Sequence, residues 1–251
     1  MDYSGNRNGE VGVHCERSAT MMRKYDLVDR AQVPGGVELQ LLRCGDEFAI
    51  VFGRNELMSS DMFASEQALA TLTCERIAGQ NAPQVLIGGY GMGFTLRAAL
   101  AALGKDASVI VAELVPKILV WARGPMHRLT DGCLDDARVT VVIDDVGLLI
   151  HSAASGYDAI LLDVDNGPEG LTRRRNDILY SPAGLQASRK ALRSGGVLAV
   201  WSADGDGDFT QRLEQAGFDV SEVRVNAFAV EADQSVDGTR VNHHIWFARK
   251  R

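Results

Sequence analysis

From Gly36 onward apolar and polar side chains fall into a regular order that the preceding residues lack. Val37-Glu-Leu-Gln-Leu-Leu42 alternates, Arg43-Cys-Gly-Asp46 supplies turn residues, and Glu47-Phe-Ala-Ile-Val-Phe52 alternates again before Gly53, which predicts a β-hairpin. Glu56-Leu-Met-Ser-Ser-Asp61 adds a short strand. A helix then opens at Ser65-Glu66, with Ala68, Leu69, Leu72 and Ile77 at helical spacing. Residues 1–33 are polar, have no clear period and read as an N-terminal arm; 34–80 form the hairpin region with its linking helix, and 81–251 a single larger domain.

Past Val85 alternation gives way to near-continuous apolar runs separated by helical stretches. Strands are expected at Val85–Ile87, Val109–Glu113, Val139–Ile143, Ala159–Asp163 and Val197–Trp201. Helices are expected between them at Val115–Arg128, Asp145–Ser152 and Ala183–Arg193, the last closing on Ser194-Gly195-Gly196. Runs buried on both faces, alternating with helices, are the signature of a parallel sheet covered on both sides, so the fold class is α/β. One more helix at Phe209–Gly217 precedes two strands, Val220–Val225 and Val241–Ala248, which can close the chain as an antiparallel pair.

The stretch Val85-Leu-Ile-Gly-Gly-Tyr-Gly-Met-Gly-Phe94 joins a strand to a helix through Gly88, Gly89, Gly91 and Gly93, which allow the backbone to approach a ligand closely. Glu113 follows about 20 residues later, where an acidic side chain takes ribose hydroxyls in a doubly wound sheet. Further carboxylates end the later strands: Asp144-Asp145, Asp163 with Asp165, and Asp204. Either Asp144 or Asp145 suits an adenine amino group, with a helix cap at Asp144 as the plainer reading. Asp163 and Asp165 leave an apolar strand for a loop fixed by Gly167 and Pro168. Such a pair can bind an ammonium group, accept its proton and expose a nitrogen nucleophile, or it can merely cap a turn. Tyr180, just before a helix, reads equally as a site contact or as a partly buried aromatic.

The 251-residue chain is 46% hydrophobic, enough for a sizeable core, and its net charge of -7 opposes a nucleic-acid surface. A basic or neutral small molecule is the expected partner. Cys15, Cys44, Cys74 and Cys133 are scattered without metal or disulfide spacing, and His243-His244 would point to opposite faces of a strand, so no metal is expected. No apolar run has the length of a membrane span and the amino terminus lacks a signal-like core, giving a cytoplasmic expectation.

Taken together, Gly88-Gly-Tyr-Gly-Met-Gly93 with Thr95-Leu-Arg97, Ala112-Glu-Leu-Val-Pro116, Tyr157-Asp-Ala-Ile-Leu-Leu-Asp163 and Leu179-Tyr-Ser181 resemble the spermidine synthase (polyamine aminopropyltransferase) family, from about Glu47 to Val225. The resemblance implies a Rossmann-like, seven-stranded methyltransferase sheet, mostly parallel with an antiparallel last strand, behind a small β-hairpin region. It also implies a site for S-adenosylmethionine, its decarboxylated form or methylthioadenosine, and transfer of an aminopropyl group to a small-molecule amine. Glu113 would take the ribose, Asp144 or Asp145 the adenine, and Asp163 the proton of the attacking amine. Neither nucleic acid nor membrane is an implied partner, and a homodimer is left open.

Several positions depart from the family. The acid that usually holds the donor's amine falls on Gly91 or Met92, and the diamine-contacting tyrosine falls on Ala64 when Glu66 is matched to the family's glutamate. Asp163-Val-Asp165 is one residue tighter than the usual Asp-x-x-Asp, and Ser202–Asp208 lacks the typical glutamine and glutamate. Methyl or aminocarboxypropyl transfer from intact S-adenosylmethionine therefore stands beside aminopropyl transfer, and a non-catalytic nucleoside-binding scaffold stands beside both.

Overall fold

The computed structural model describes residues 25–53, 55–164, 176–228 and 241–251. Four antiparallel strands come first, in chain order across their sheet: β1 (Asp26–Gln32), β2 (Glu38–Cys44), β3 (Glu47–Phe52) and β4 (Asn55–Ser59). Alternation in β2 and β3 buries Leu39, Leu41, Phe48 and Ile50 in the main core. Strand β1 lies where the sequence reads as an arm; only Ala31 of it is buried, so its pairing with β2 rather than its own pattern makes it a strand. Helix α1 (Ala64–Arg76) links this sheet to the larger domain. It carries the polar Ser65 and Glu66 buried in its first turn, where a helix N-terminus favours an acidic side chain.

A seven-stranded sheet forms the rest of the fold. In chain order it uses β5 (Gln84–Gly88), β6 (Ser108–Ala112), β7 (Val139–Val142), β8 (Tyr157–Leu162), β9 (Leu192–Ser202), β10 (Phe218–Asn226) and β11 (Asn242–Lys250). Across the sheet the order is β10-β11-β9-β8-β5-β6-β7. Strand β11 runs antiparallel to both neighbours, and β7, β6, β5, β8 and β9 pair in parallel. Alternate residues go to opposite faces: Ile87, Leu161 and Ala199 join α2 (Phe94–Ala102) and α3 (Pro116–Arg123) in one cluster with the hairpin sheet. Leu86, Ile160 and Leu198 join α5 (Val146–Ser152), α7 (Pro182–Ala191) and α8 (Gly207–Gln215) in the other. Two covered faces explain why these strands read as unbroken apolar runs.

Three boundaries differ from the sequence reading. The expected helix over 115–128 is two helices, α3 and α4 (His127–Thr130), because Gly124-Pro125 ends the first. Helix α7, which follows the short α6 (Asn176–Leu179), stops at Ala191 rather than at the Ser194-Gly195-Gly196 turn. Fully buried Leu192 already pairs with Tyr157, and the sheet absorbs Gly195 as an irregularity before Val197 pairs with Ala159. Finally, the helix cap read at Asp144 falls on Asp145, whose side chain accepts from the Gly147 amide at the start of α5. The segment joining the last two strands lies largely outside the described residues.

Candidate active site

All the parallel strands present their carboxyl ends to one side, and the sheet order reverses between β5 and β8, where open α/β sheets form a ligand crevice. A cavity of about 160 Å³ opens there. Its polar wall is Gly89, Gly91, Glu113, Asp144, Asp145 and Asp163, together with Glu66 from α1; its apolar wall is Val33, Leu39, Ile50, Leu57 and Met58 from the hairpin region, with Trp201 at the end of β9. The hairpin sheet thus roofs the glycine turn.

The turn is held by backbone and by Glu113. Gly89 donates to the Ala112 carbonyl, and the Asp163 amide donates to the Gly88 carbonyl, tying the ends of β6, β5 and β8 together. Gly89 has φ +85°, and a Cβ there would collide with the Asp163 carbonyl oxygen; only glycine lets β8 come so close. Gly91 has φ +54° and faces the tip of Met58, whose Cε would lie 2.5 Å from an added Cβ. Met92 is buried in the core and Gly88 backs onto Val146, while Gly93 lies against the Tyr90 ring hydroxyl.

Glu113 is buried, and its two oxygens accept from the amides of Tyr90 (2.9 Å) and Val115 (2.7 Å). Burial raises its pKa and these amides oppose that rise. The amides of Gly91 and Leu114 also pull its pKa down, so the glycine turn and the start of α3 close around this carboxylate. Asp144 is exposed and turns one oxygen back to the Asp145 amide.

Asp163, at the end of β8, accepts from the Thr95 hydroxyl at 2.6 Å, and that hydroxyl comes within 3.4 Å of the Glu66 carbonyl. Burial raises the Asp163 pKa to about 6, with Thr95 pulling the other way. Glu66 is pushed to about 8, first by burial and then by the charge on Asp163, against the Ser65 hydrogen bond. Ser65 Oγ donates to Glu66 Oε2 at 2.6 Å and lies 2.8 Å from His243 Nδ1, and the His243 ring packs edge-on against Trp201.

The expected residues therefore divide. Gly89, Gly91, Glu113, Asp144, Asp145 and Asp163 meet in one cavity, and Gly88 and Gly93 shape the turn behind it. Asp165, expected to share a face with Asp163, lies outside the described residues. Tyr180, expected as a site contact or a partly buried aromatic, is fully buried in the opposite core layer, edge-on to Phe209 and not among the described cavity-lining residues. Two residues before the start of α7 at Pro182, it is held as a core aromatic. Glu66 joins the site without having been assigned a role; the one sequence signal for it was its match to the family's glutamate. His243 and His244 do face opposite ways, the first to Ser65 and the second to Glu222 at 2.6 Å. Among the described residues no group of side chains suits a metal, and no helix is long and apolar enough to cross a membrane.

No family model matches the chain. It is 28% identical over 167 residues to the polyamine aminopropyltransferase of Mycobacterium tuberculosis (strain ATCC 25618 / H37Rv), covering 65% of this chain and 30% of that protein. It is 30% identical over 116 residues to the polyamine aminopropyltransferase of Saccharolobus islandicus (strain L.S.2.15 / Lassen #1), covering 46% of this chain and 37% of that one. The matches thus span about a third of those relatives' own length. In structure the chain superposes on spermidine synthase from Thermotoga maritima with a TM-score of 0.71 at 18% identity, covering 91% of this chain and 75% of that one. A spermidine synthase in complex with the transition state analogue AdoDATO gives 0.72 at 19% identity, with the same coverage. The chain resembles the spermidine synthase family in sequence and in fold. The seven-stranded methyltransferase-like sheet behind an antiparallel hairpin sheet is the architecture the sequence predicts.

Proposed function

We propose that the chain is a spermidine synthase-like transferase that moves an aminopropyl group from a decarboxylated S-adenosylmethionine-type nucleoside to a small amine. The observation that carries this reading is the lining of the cavity: five carboxylates, from Glu66, Glu113, Asp144, Asp145 and Asp163, with no lysine or arginine among the described lining residues. Such a wall attracts a donor bearing sulfonium and ammonium charges and an ammonium acceptor, and it repels the carboxylate that intact S-adenosylmethionine would bring. The named activity of the curated relatives supports the same reading.

In this reading Glu113, at the cavity wall, takes the ribose hydroxyls while holding the glycine turn. Asp144 takes the adenine amino group, because Asp145 is committed to capping α5. Asp163 accepts a proton from the acceptor ammonium, and the freed lone pair attacks the methylene carbon beside sulfur. The backbone of the glycine turn and the apolar wall of Leu57 and Met58 enclose the donor.

One observation favours a second reading, transfer of a methyl or aminocarboxypropyl group from the intact donor: Gly91 and Met92 provide no acid where the family holds the donor's amine. Calorimetry with S-adenosylmethionine, its decarboxylated form, methylthioadenosine and S-adenosylhomocysteine in parallel separates the readings. Tighter binding of the decarboxylated donor, followed by aminopropylated product with an amine panel, supports the proposal. Tighter binding of the intact donor with methylated product overturns it.

A further inference from the structure

Aminopropyl transfer to an ammonium acceptor releases one proton per turnover. The acceptor, R–NH3+, must lose a proton before its lone pair forms the new N–C bond. The C–S bond then breaks with its electrons left on sulfur, the sulfonium becomes a neutral thioether, and the product is a secondary ammonium. The proton taken by Asp163 must therefore leave before the next cycle. Asp163 is half-buried, and its hydrogen-bond partner Thr95 leads only to the Glu66 carbonyl, which has no proton to pass on.

The side chain of Glu66 offers a different path. It shares the cavity with Asp163, and one of its oxygens is bonded to Ser65, itself fully buried and 2.8 Å from His243 Nδ1. His243 retains 8% of its surface exposed, which makes it the outer end of the chain. A carboxyl can take a proton on one oxygen while releasing one from the other, and a serine hydroxyl can accept one while donating its own. The groups Glu66–Ser65–His243 are thus in series. Three elements contribute: β8 supplies Asp163, α1 supplies Glu66 and Ser65, and β11 supplies His243.

Resting on the proposed transfer reaction, we propose that Asp163 and Glu66 hold a single proton between them and that Glu66 passes the surplus proton through Ser65 to His243. In the resting site the shared proton sits on Glu66 and leaves Asp163 ionised as the base. When Asp163 takes the acceptor's proton, Glu66 receives it on one oxygen; the Ser65 hydroxyl, which donates to Glu66 Oε2 at rest, turns to donate to His243 Nδ1, and Ser65 Oγ takes the proton from Oε2 as its own passes to the imidazole. The other titratable groups facing this cavity are Glu113, tied to the backbone amides, and Asp144 and Asp145 at its far strand. Burial raises Asp163 to about 6, and burial with the added charge of Asp163 raises Glu66 to about 8, an ordering that matches one shared proton near neutrality.

Two measurements on the full chain test this separately from the reaction. The first is a 13C NMR titration of side-chain carboxyls. One carboxyl should remain protonated at neutral pH, vanish in Glu66→Gln, and titrate at lower pH in Asp163→Asn, where the neighbouring charge is gone. Two carboxyls fully ionised at neutral pH, or a Glu66 midpoint indifferent to Asp163→Asn, overturns the shared proton. The second is kcat against pH with decarboxylated S-adenosylmethionine and a panel of short primary amines. Glu66→Gln should lower kcat by about 100-fold, the scale of general acid–base catalysis, with methylthioadenosine affinity unchanged, and His243→Ala should lose rate that added imidazole restores. A parent rate in Glu66→Gln, or a His243→Ala loss that imidazole leaves untouched, overturns the relay. If the parent transfers nothing to any amine, the proposed reaction fails, and the titration alone still decides the shared proton.

Discussion

The Thr95 hydroxyl, at the start of α2, donates to the Asp163 carboxylate at the end of β8 across 2.6 Å. It is the hydrogen bond that opposes the rise in pKa which desolvation gives this half-buried acid. Turnover on an amine should therefore fall as pH drops through about 6, where Asp163 takes up a proton. Thr95→Val removes the opposing hydrogen bond and should move that limb to higher pH. A pH–rate profile of the two proteins checks this, and superimposable limbs would detach Asp163 from the base.

Asp163→Asn should keep the fold and the donor site while lowering kcat by about 100-fold or more, the usual contribution of a general base. Steady-state kinetics beside methylthioadenosine calorimetry measures both. A variant that turns over at the parent rate with its donor site intact would make the carboxylate structural.

The same burial has a cost in stability. Glu66 has a folded pKa of about 8 against an ordinary 4.5. Between those values the folded chain holds a proton that the unfolded chain has released, so stability present at acid pH is lost as pH rises through about 8. Glu66→Gln should flatten the decline of Tm over that window. Parallel Tm–pH curves for parent and variant would refute the raised pKa.

Glu113 and Asp145 predict contrasting losses. Glu113→Ala leaves the buried amides of Tyr90 and Val115 without their acceptor, which should cost about 1–3 kcal/mol of stability and weaken methylthioadenosine binding as well. Asp145→Ala should cost about 1 kcal/mol through its helix cap, whereas Asp144→Ala should weaken nucleoside binding and barely touch stability. Urea titrations paired with calorimetry distinguish the three, and a reversal between Asp144 and Asp145 would move the adenine contact.

Much of this was legible in the chain because the physics was local or periodic. Unbroken apolar runs fix the two-sided sheet, and Gly89 announces a close approach whose partner, the Asp163 carbonyl, only the structure reveals. What escaped the sequence depends on partners far along the chain. Asp29 to Gln32 become strand by pairing with β2, and Tyr180 is set by packing against Phe209 rather than by its neighbours in sequence. Glu66 becomes unusual because α1 delivers it to Asp163, nearly a hundred residues later.

The glycine turn differs from one position to the next in how firmly its surroundings forbid change. Gly89 abuts backbone, Gly88 a branched valine and Gly93 a ring hydroxyl, but Gly91 meets only the end of a flexible methionine, at a φ that aspartate tolerates better than most residues. Every glycine codon becomes an aspartate or glutamate codon by one change at its second base. The acid that the family places at Gly91 or Met92 therefore stands, at Gly91, a single nucleotide from this gene, at the one position in the turn whose neighbour can swing aside. Preference between donors is in that sense an exposed trait, open to selection without any rebuilding of the fold, and Gly91→Asp should sharpen discrimination for the decarboxylated donor in one step.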